Sequence, residues 1–308
     1  MRNITLLSIF LILFFAGCSR PPAVPEHTLP SACAVYDMKQ ARCIGEAELA
    51  ARLEPCRVVF VGDHHESEAL HRKVAELIAV LGKRGRHVML ANEWFTPGDD
   101  RVLARYAAGT FEGNFTAAVN WKKQAGYPFA SYAPVYDAVR AVGGELYGVN
   151  MPKSFQKLIS ENNVSQMNAS ERGFVRGLDL NLTAHRQMLS PFFSHCHSKK
   201  EGESTGGCAE RMYRVQVAWD SYMAKESAKL ARRLLKTPRD LLMVFAGAMH
   251  LKYGLGINAR FARLSREPFV TILPVPEGTR SAEVGEADYL LFYPEKGADE
   301  WRGRWVNE

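Results

Sequence analysis

The chain has 308 residues and a formal net charge of +6, and it is 47% hydrophobic, 10% aromatic and 23% charged. These are globular values that exclude wholesale disorder, and the length allows one large domain or two modest ones. The basic excess sits in short clusters such as Lys83–Arg86 with no interleaved aromatics, which argues against nucleic acid and suits an anionic membrane surface or a carboxylated ligand.

The N-terminus carries Arg2, an apolar run of about 12 residues, and small residues before Cys18, the proportions of a signal peptide rather than a membrane span. Phe15-Ala16-Gly17-Cys18 matches the bacterial lipobox, with Phe15 in place of the usual leucine. The expectation is a lipoprotein signal over residues 1–17, lipidation at Cys18, and an outer-membrane address signalled by Ser19. A Pro- and Ser-rich tether is expected over 18–31. The remainder, 32–308, reads as a single domain.

Export permits disulfides. Cys33 and Cys43 flank an expected hairpin and could pair with each other or with Cys56, while Cys196 and Cys208 flank a polar loop and are paired here. One thiol is left over.

Five uninterrupted apolar runs, Val58–Gly62, Val88–Asn92, Glu145–Val149, Leu241–Ala246 and Phe269–Val275, read as strands buried on both faces. Between them Ser67–Leu81 places Leu70, Val74, Leu77, Ile78 and Leu81 on one helical face. A helix is expected to start at Pro134 and run to Val142, and a long amphipathic one to span Val215–Leu235. The alternation predicts an α/β fold with a largely parallel sheet. The strandless span of about 154–236 is expected to form a smaller all-helical insertion.

In such a sheet ligands bind beyond the carboxyl ends of the strands. The first predicted strand ends in Gly62-Asp63-His64-His65, the second in Glu93-Trp94-Phe95, the third in Asn150-Met151-Pro152-Lys153 and the fourth in Gly247-Ala248-Met249-His250. Two of these share the pattern G-x-x-H. The glycine permits a tight exit and returns His65 and His250 over the strand ends. Asp63 is suited to orient a histidine, and His64 is expected to face away.

FVGDHH, NEWF, YGVNMPKS and GAMHLKYGLGINARF resemble the ChaN-like family of haem-binding bacterial lipoproteins, within the superfamily of Tiki-type metalloproteases and erythromycin-esterase-like enzymes. The resemblance runs from about Val35 to Tyr293; Lys153, where arginine is expected, and the Cys196–Cys208 loop depart from it. It implies haem binding for iron acquisition, with iron held by tyrosine or histidine and propionates by basic or hydrogen-bonding groups. Tyr132 is the best-matched candidate ligand and Tyr127 the second; His65, His250, Asn150 and Lys153 complete the expected cofactor site. Trp94, Phe95, Trp121 and Phe129 would wall a porphyrin. A haem with one open face invites a second protomer, so a homodimer is expected, together with a haem receptor or transporter as partner.

A competing reading is a metal-dependent hydrolase, in which His65, Glu93 and His250 hold Zn or Mn to activate water, or act as general bases. His195-Cys196-His197 with Cys208 is a weaker metal candidate. The chain contains no G-x-S-x-G elbow, phosphate-cradling glycine loop or H-E-x-x-H helix.

Overall fold

The computed structural model describes residues 25–194, 196 and 204–294. In chain order the strands are β1 (Glu26–Thr28), β2 (Val35–Asp37), β3 (Arg42–Ile44), β4 (Val58–Asp63), β5 (His87–Asn92), β6 (Glu145–Gly148), β7 (Asp240–Gly247), β8 (Phe269–Pro276), β9 (Ser281–Glu283) and β10 (Tyr289–Tyr293). Helix α1 (Glu46–Arg52) precedes β4, and α2 (Glu68–Lys83) joins β4 to β5. Between β5 and β6 lie α3 (Asp100–Ala107), α4 (Phe115–Ala118), α5 (Trp121–Gln124) and α6 (Phe129–Ala141). Between β6 and β7 lie α7 (Lys153–Glu161), α8 (Ala169–Arg176), α9 (Thr183–Phe193) and α10 (Thr205–Leu234), and α11 (Ile257–Leu264) leads to β8.

The main sheet has the order β3-β2-β10-β8-β4-β7-β5-β6 and is parallel from β10 to β6; β2 and β3 add antiparallel strands at one edge. The fold is therefore α/β with a largely parallel sheet flanked by helices. Side chains alternate across the pleat. Val59 and Val61 of β4 join the core beneath α2 and α6, whereas Val58 and Phe60 join the core beneath α10 and α11. Both faces of β4 are dry, which is why its sequence does not alternate. The five apolar positions of α2 are all buried, and Ser67 caps the helix by accepting from the Leu70 amide.

Three boundaries differ from expectation. Glu26–Thr28, inside the stretch read as tether, pairs with β9. Helix α6 begins at Phe129 rather than at Pro134, which lies inside it. Proline cannot donate the helical hydrogen bond, but Phe129 and Tyr136 pack on Trp121 and Phe115, and that packing offsets the loss. Helix α10 starts ten residues before Val215, at Thr205, with Ser204 as cap. Its C-terminal half, through Met223, Ala224, Ala228 and Ala231, covers the sheet itself, so the helical span is partly a core layer. Helices α7 and α8 form a separate small core around Phe155 and Ile159.

Disulfides join Cys33 to Cys43 across the β2–β3 hairpin and Cys196 to Cys208 at the start of α10; Cys56 is a buried free thiol. His195 and His197 lie outside the described residues. No helix among the described residues is long and apolar enough to cross a membrane.

Candidate functional site

Register decides what meets at the sheet edge. Asp63 of β4 pairs with Gly247 of β7, and Asn92 of β5 pairs with Phe245. The chain therefore leaves β4, β7 and β5 at one level. Strand β7 is inserted between β4 and β5, which the chain joins directly through α2, so the three ends surround a crossover point of the kind where open sheets bind ligands. Gly247 is the floor: a β-carbon there would come within 3.0 Å of the His65 ring and 3.4 Å of the His250 ring. The two G-x-x-H histidines thus converge over one glycine.

Between them sits Glu93, buried, with its Oε2 accepting from the Gly247 amide at 2.8 Å. His65 Nε2 lies 3.8 Å from Glu93 Oε1, and His250 Nε2 lies 3.8 Å from Oε2. Each histidine is aimed by its own carboxylate. His65 Nδ1 donates to Asp63 Oδ2 at 2.8 Å, and His250 Nδ1 donates to Asp220 Oδ1 at 2.5 Å. Burial alone would lower the pKa of His65. Its hydrogen bond to Asp63 and the charge of Glu93 outweigh that, so it stands raised. For His250 burial is likewise outweighed, here by Asp220. Burial would raise Asp63 and Asp220, but their histidine partners hold both carboxyls down at about 2.

Asp220 and its surroundings had no sequence signal. It lies 30 residues before His250, in the middle of α10. His185 of α9 approaches its Oδ2 at 3.2 Å without hydrogen-bond alignment, and Arg260 Nη1 stands 3.8 Å away. Gln216, one turn before Asp220, reaches both Asp220 and His250.

The expected tyrosines separate. Tyr132 is fully enclosed beneath the site and donates its hydroxyl to Asp63 Oδ2 at 3.1 Å; burial pushes its pKa far up. It supports the floor and does not face the opening. Tyr127 is half-buried, with its ring centroid 5.2 Å from that of His65 and 5.6 Å from that of Trp94. Trp94 also packs 4.7 Å from His65, and its buried indole N–H has no hydrogen-bond partner among the described residues. Phe95, Trp121 and Phe129 continue into the core behind it.

Asn150 is committed to the fold. It accepts from Trp219 Nε1 at 2.6 Å and donates to the Glu93 carbonyl. Lys153 is exposed at the start of α7 and donates to the backbone of Lys123. His64 turns away from the others and bonds Tyr293 at 2.7 Å. Among the described residues no cluster of three or more His, Cys, Asp or Glu is arranged to hold a metal ion.

An α/β sheet whose strand-end glycines bring two carboxylate-aimed histidines to one glutamate defines the class of site. The chain belongs to the family described as haem-binding uptake, Tiki superfamily, ChaN, whose model matches residues 49–261. Its fold is similar to that solved for ChaN of Campylobacter jejuni with cofacial haem, with a TM-score of 0.64 at 18% identity, covering 85% of this chain and 96% of that one. Weaker similarities are to the type III effector HopBA1 (TM-score 0.45, 14% identity, 82% of this chain and 94% of that one) and to a mutant of the erythromycin esterase EreC in its open conformation (TM-score 0.45, 13% identity, 82% and 77%). No curated protein matches the chain.

Proposed function

We propose that this chain binds haem at the strand-end site, as a lipid-anchored outer-membrane protein of haem and iron acquisition. The observation that supports this most is the cluster of Tyr127, His65 and Trp94, with an unpaired indole N–H, at the sheet edge of a member of a haem-binding uptake family. Tyr127 is the proposed iron ligand in place of Tyr132. A bound porphyrin would supply the iron; the chain supplies an aromatic wall and a polar floor. Lys153, with Lys123 beside it, is placed to meet propionates, and the pKa of Lys153 is lowered by burial and by Lys123. The signal peptide over 1–17, lipidation at Cys18 and the tether belong to this reading. So does a homodimer closing over the open haem face, which the cofacial haem of the Campylobacter jejuni protein supports.

Hemin titration tests it. The expected result is a saturable Soret change with a tyrosinate-type ferric spectrum, lost in Tyr127→Phe and kept in Tyr132→Phe. A spectrum indifferent to Tyr127→Phe removes Tyr127 as ligand, and no saturable change removes the haem reading. Size-exclusion chromatography with and without hemin tests the dimer; an unchanged elution volume ends it.

A second reading, metal-free acid–base hydrolysis, is favoured by one observation: two Nε2 atoms stand 3.8 Å from the two oxygens of one buried carboxylate. It requires turnover of a chromogenic ester that disappears in His250→Ala. Equal rates for wild type and variant end it.

A further inference from the structure

His71 was not marked by any motif, and neither reading of the site uses it. It lies in the first turn of α2, wholly buried between β4 and α6. Its Nδ1 is 2.6 Å from the carbonyl oxygen of Ser131, and its Nε2 is 2.8 Å from Asp63 Oδ1. Both neighbours are acceptors. A neutral imidazole has one N–H and one lone pair, so in that form it would hold a lone pair against an oxygen at hydrogen-bond distance. A protonated Asp63 could resolve the conflict, but the other bonds of that carboxylate oppose it. Its Oδ2 already accepts from His65 Nδ1 and from the Tyr132 hydroxyl. Burial pushes the carboxyl up, and the histidine hydrogen bonds outweigh this and hold it at about 2.

We propose that His71 is held as an imidazolium, the buried counter-ion of Asp63, and acts as a positioning residue that anchors the carboxylate by which His65 Nε2 is aimed at the site. Both N–H groups of His71 are then satisfied. Asp63 receives three donors, and a buried charge pair of this kind is tolerated because each member is hydrogen-bonded as well as paired. The hydrogen stays on His65 Nδ1 because Asp63 cannot rotate away from it. The sheet side is closed by Phe245 of β7, whose ring stands 5.9 Å from that of His71, and the α6 side by the ring of Tyr132 at 4.2 Å. What His65 is aimed for rests on the haem reading; the charge state of His71 does not.

The test uses the full chain in detergent, labelled with ¹⁵N in histidine and free of hemin. At about pH 8, where an ordinary histidine has lost its extra proton, both ring nitrogens of His71 should resonate as protonated. They are assigned through couplings to the backbone, so no variant is needed. One bare nitrogen on His71 overturns the proposal. His71→Gln keeps a donor for Asp63 but not the charge or the second anchor. With the amide spectrum otherwise preserved, His65 should pass from hydrogen on Nδ1 alone to a mixture of tautomers. Hemin affinity should fall about tenfold, as for other partners that orient a ligand-contacting group. Unchanged His65 signals in that variant overturn the positioning role. A doubly protonated His71 in a chain that fails to bind hemin sinks the haem reading alone; hemin binding beside a bare His71 nitrogen sinks this inference alone.

Discussion

Adjacent residues can be chemically opposite. His64 and His65 share a strand end, yet burial pushes the His64 pKa down to about 4, while Asp63 and Glu93 leave His65 raised. The sign for stability follows. Below the ordinary value of 6.5 an unfolded chain protonates His64 while the folded chain refuses the proton. His64 therefore contributes a loss of stability as pH falls from about 6.5 to about 4, after which the loss levels off. Urea midpoints measured across that window should decline less steeply in His64→Asn than in wild type, and parallel slopes would contradict the assignment. The division of labour between the two neighbours was legible, because the second G-x-x-H singles out His65 by its position. The choice between Tyr127 and Tyr132 was not legible. It depends on which side of the first turn of α6 faces Asp63, and that turn begins before the proline that marked it. His71, His185 and Asp220 were invisible for a related reason: each is one polar residue on an otherwise ordinary helix, joined to its partner only by tertiary packing.

Elements meet closely where glycine allows it. A β-carbon on Gly62 would come within 2.7 Å of Pro274 and 2.9 Å of Leu273, side chains of β8 on the core side, whereas one on Gly247 would press on the His65 and His250 rings. Gly62→Ala should therefore cost about 1–3 kcal/mol of stability by overpacking, with the site chemistry little altered. Gly247→Ala should weaken hemin binding more than it lowers the unfolding midpoint, because mobile rings can yield. Titration and denaturation of both variants side by side would show whether the two effects separate. At Gly256 the added atom would collide with the His250 carbonyl, so Gly256→Ala should both destabilise the fold and disturb the site. Strands and the α2 face were readable because a fully buried parallel strand must be apolar throughout and a helix on a sheet needs one apolar stripe. The start of α10 was hidden by Gly206 and Gly207, weak helix formers that lie inside its first turn.

For the molecule as a whole, two short covalent loops fasten the periphery of a large core. Cys33–Cys43 spans 10 residues and Cys196–Cys208 spans 12. Loops of that size stabilise by about 2–3 kcal/mol each through the unfolded chain. Reductant should lower the urea midpoint without bleaching a bound chromophore at once, since the site is built from the central strands. Buried Cys56 should resist thiol reagents until the fold opens; prompt labelling in native buffer would contradict its burial. The fold class was legible from the alternation of strand and helix. The edge strands β1, β2, β3 and β9 are three residues each and gave too short a pattern to read alone. The central strand β4 has as its neighbours β7 and β8, which lie about 180 to 210 residues further along the chain. No contiguous fragment holds the pocket, and the last histidine arrives only when β7 slots between β4 and β5. Such long-range pairing is slow to form. Capture of hemin during refolding would then report the completion of the sheet, and a partly made molecule would have nowhere to put a reactive pigment.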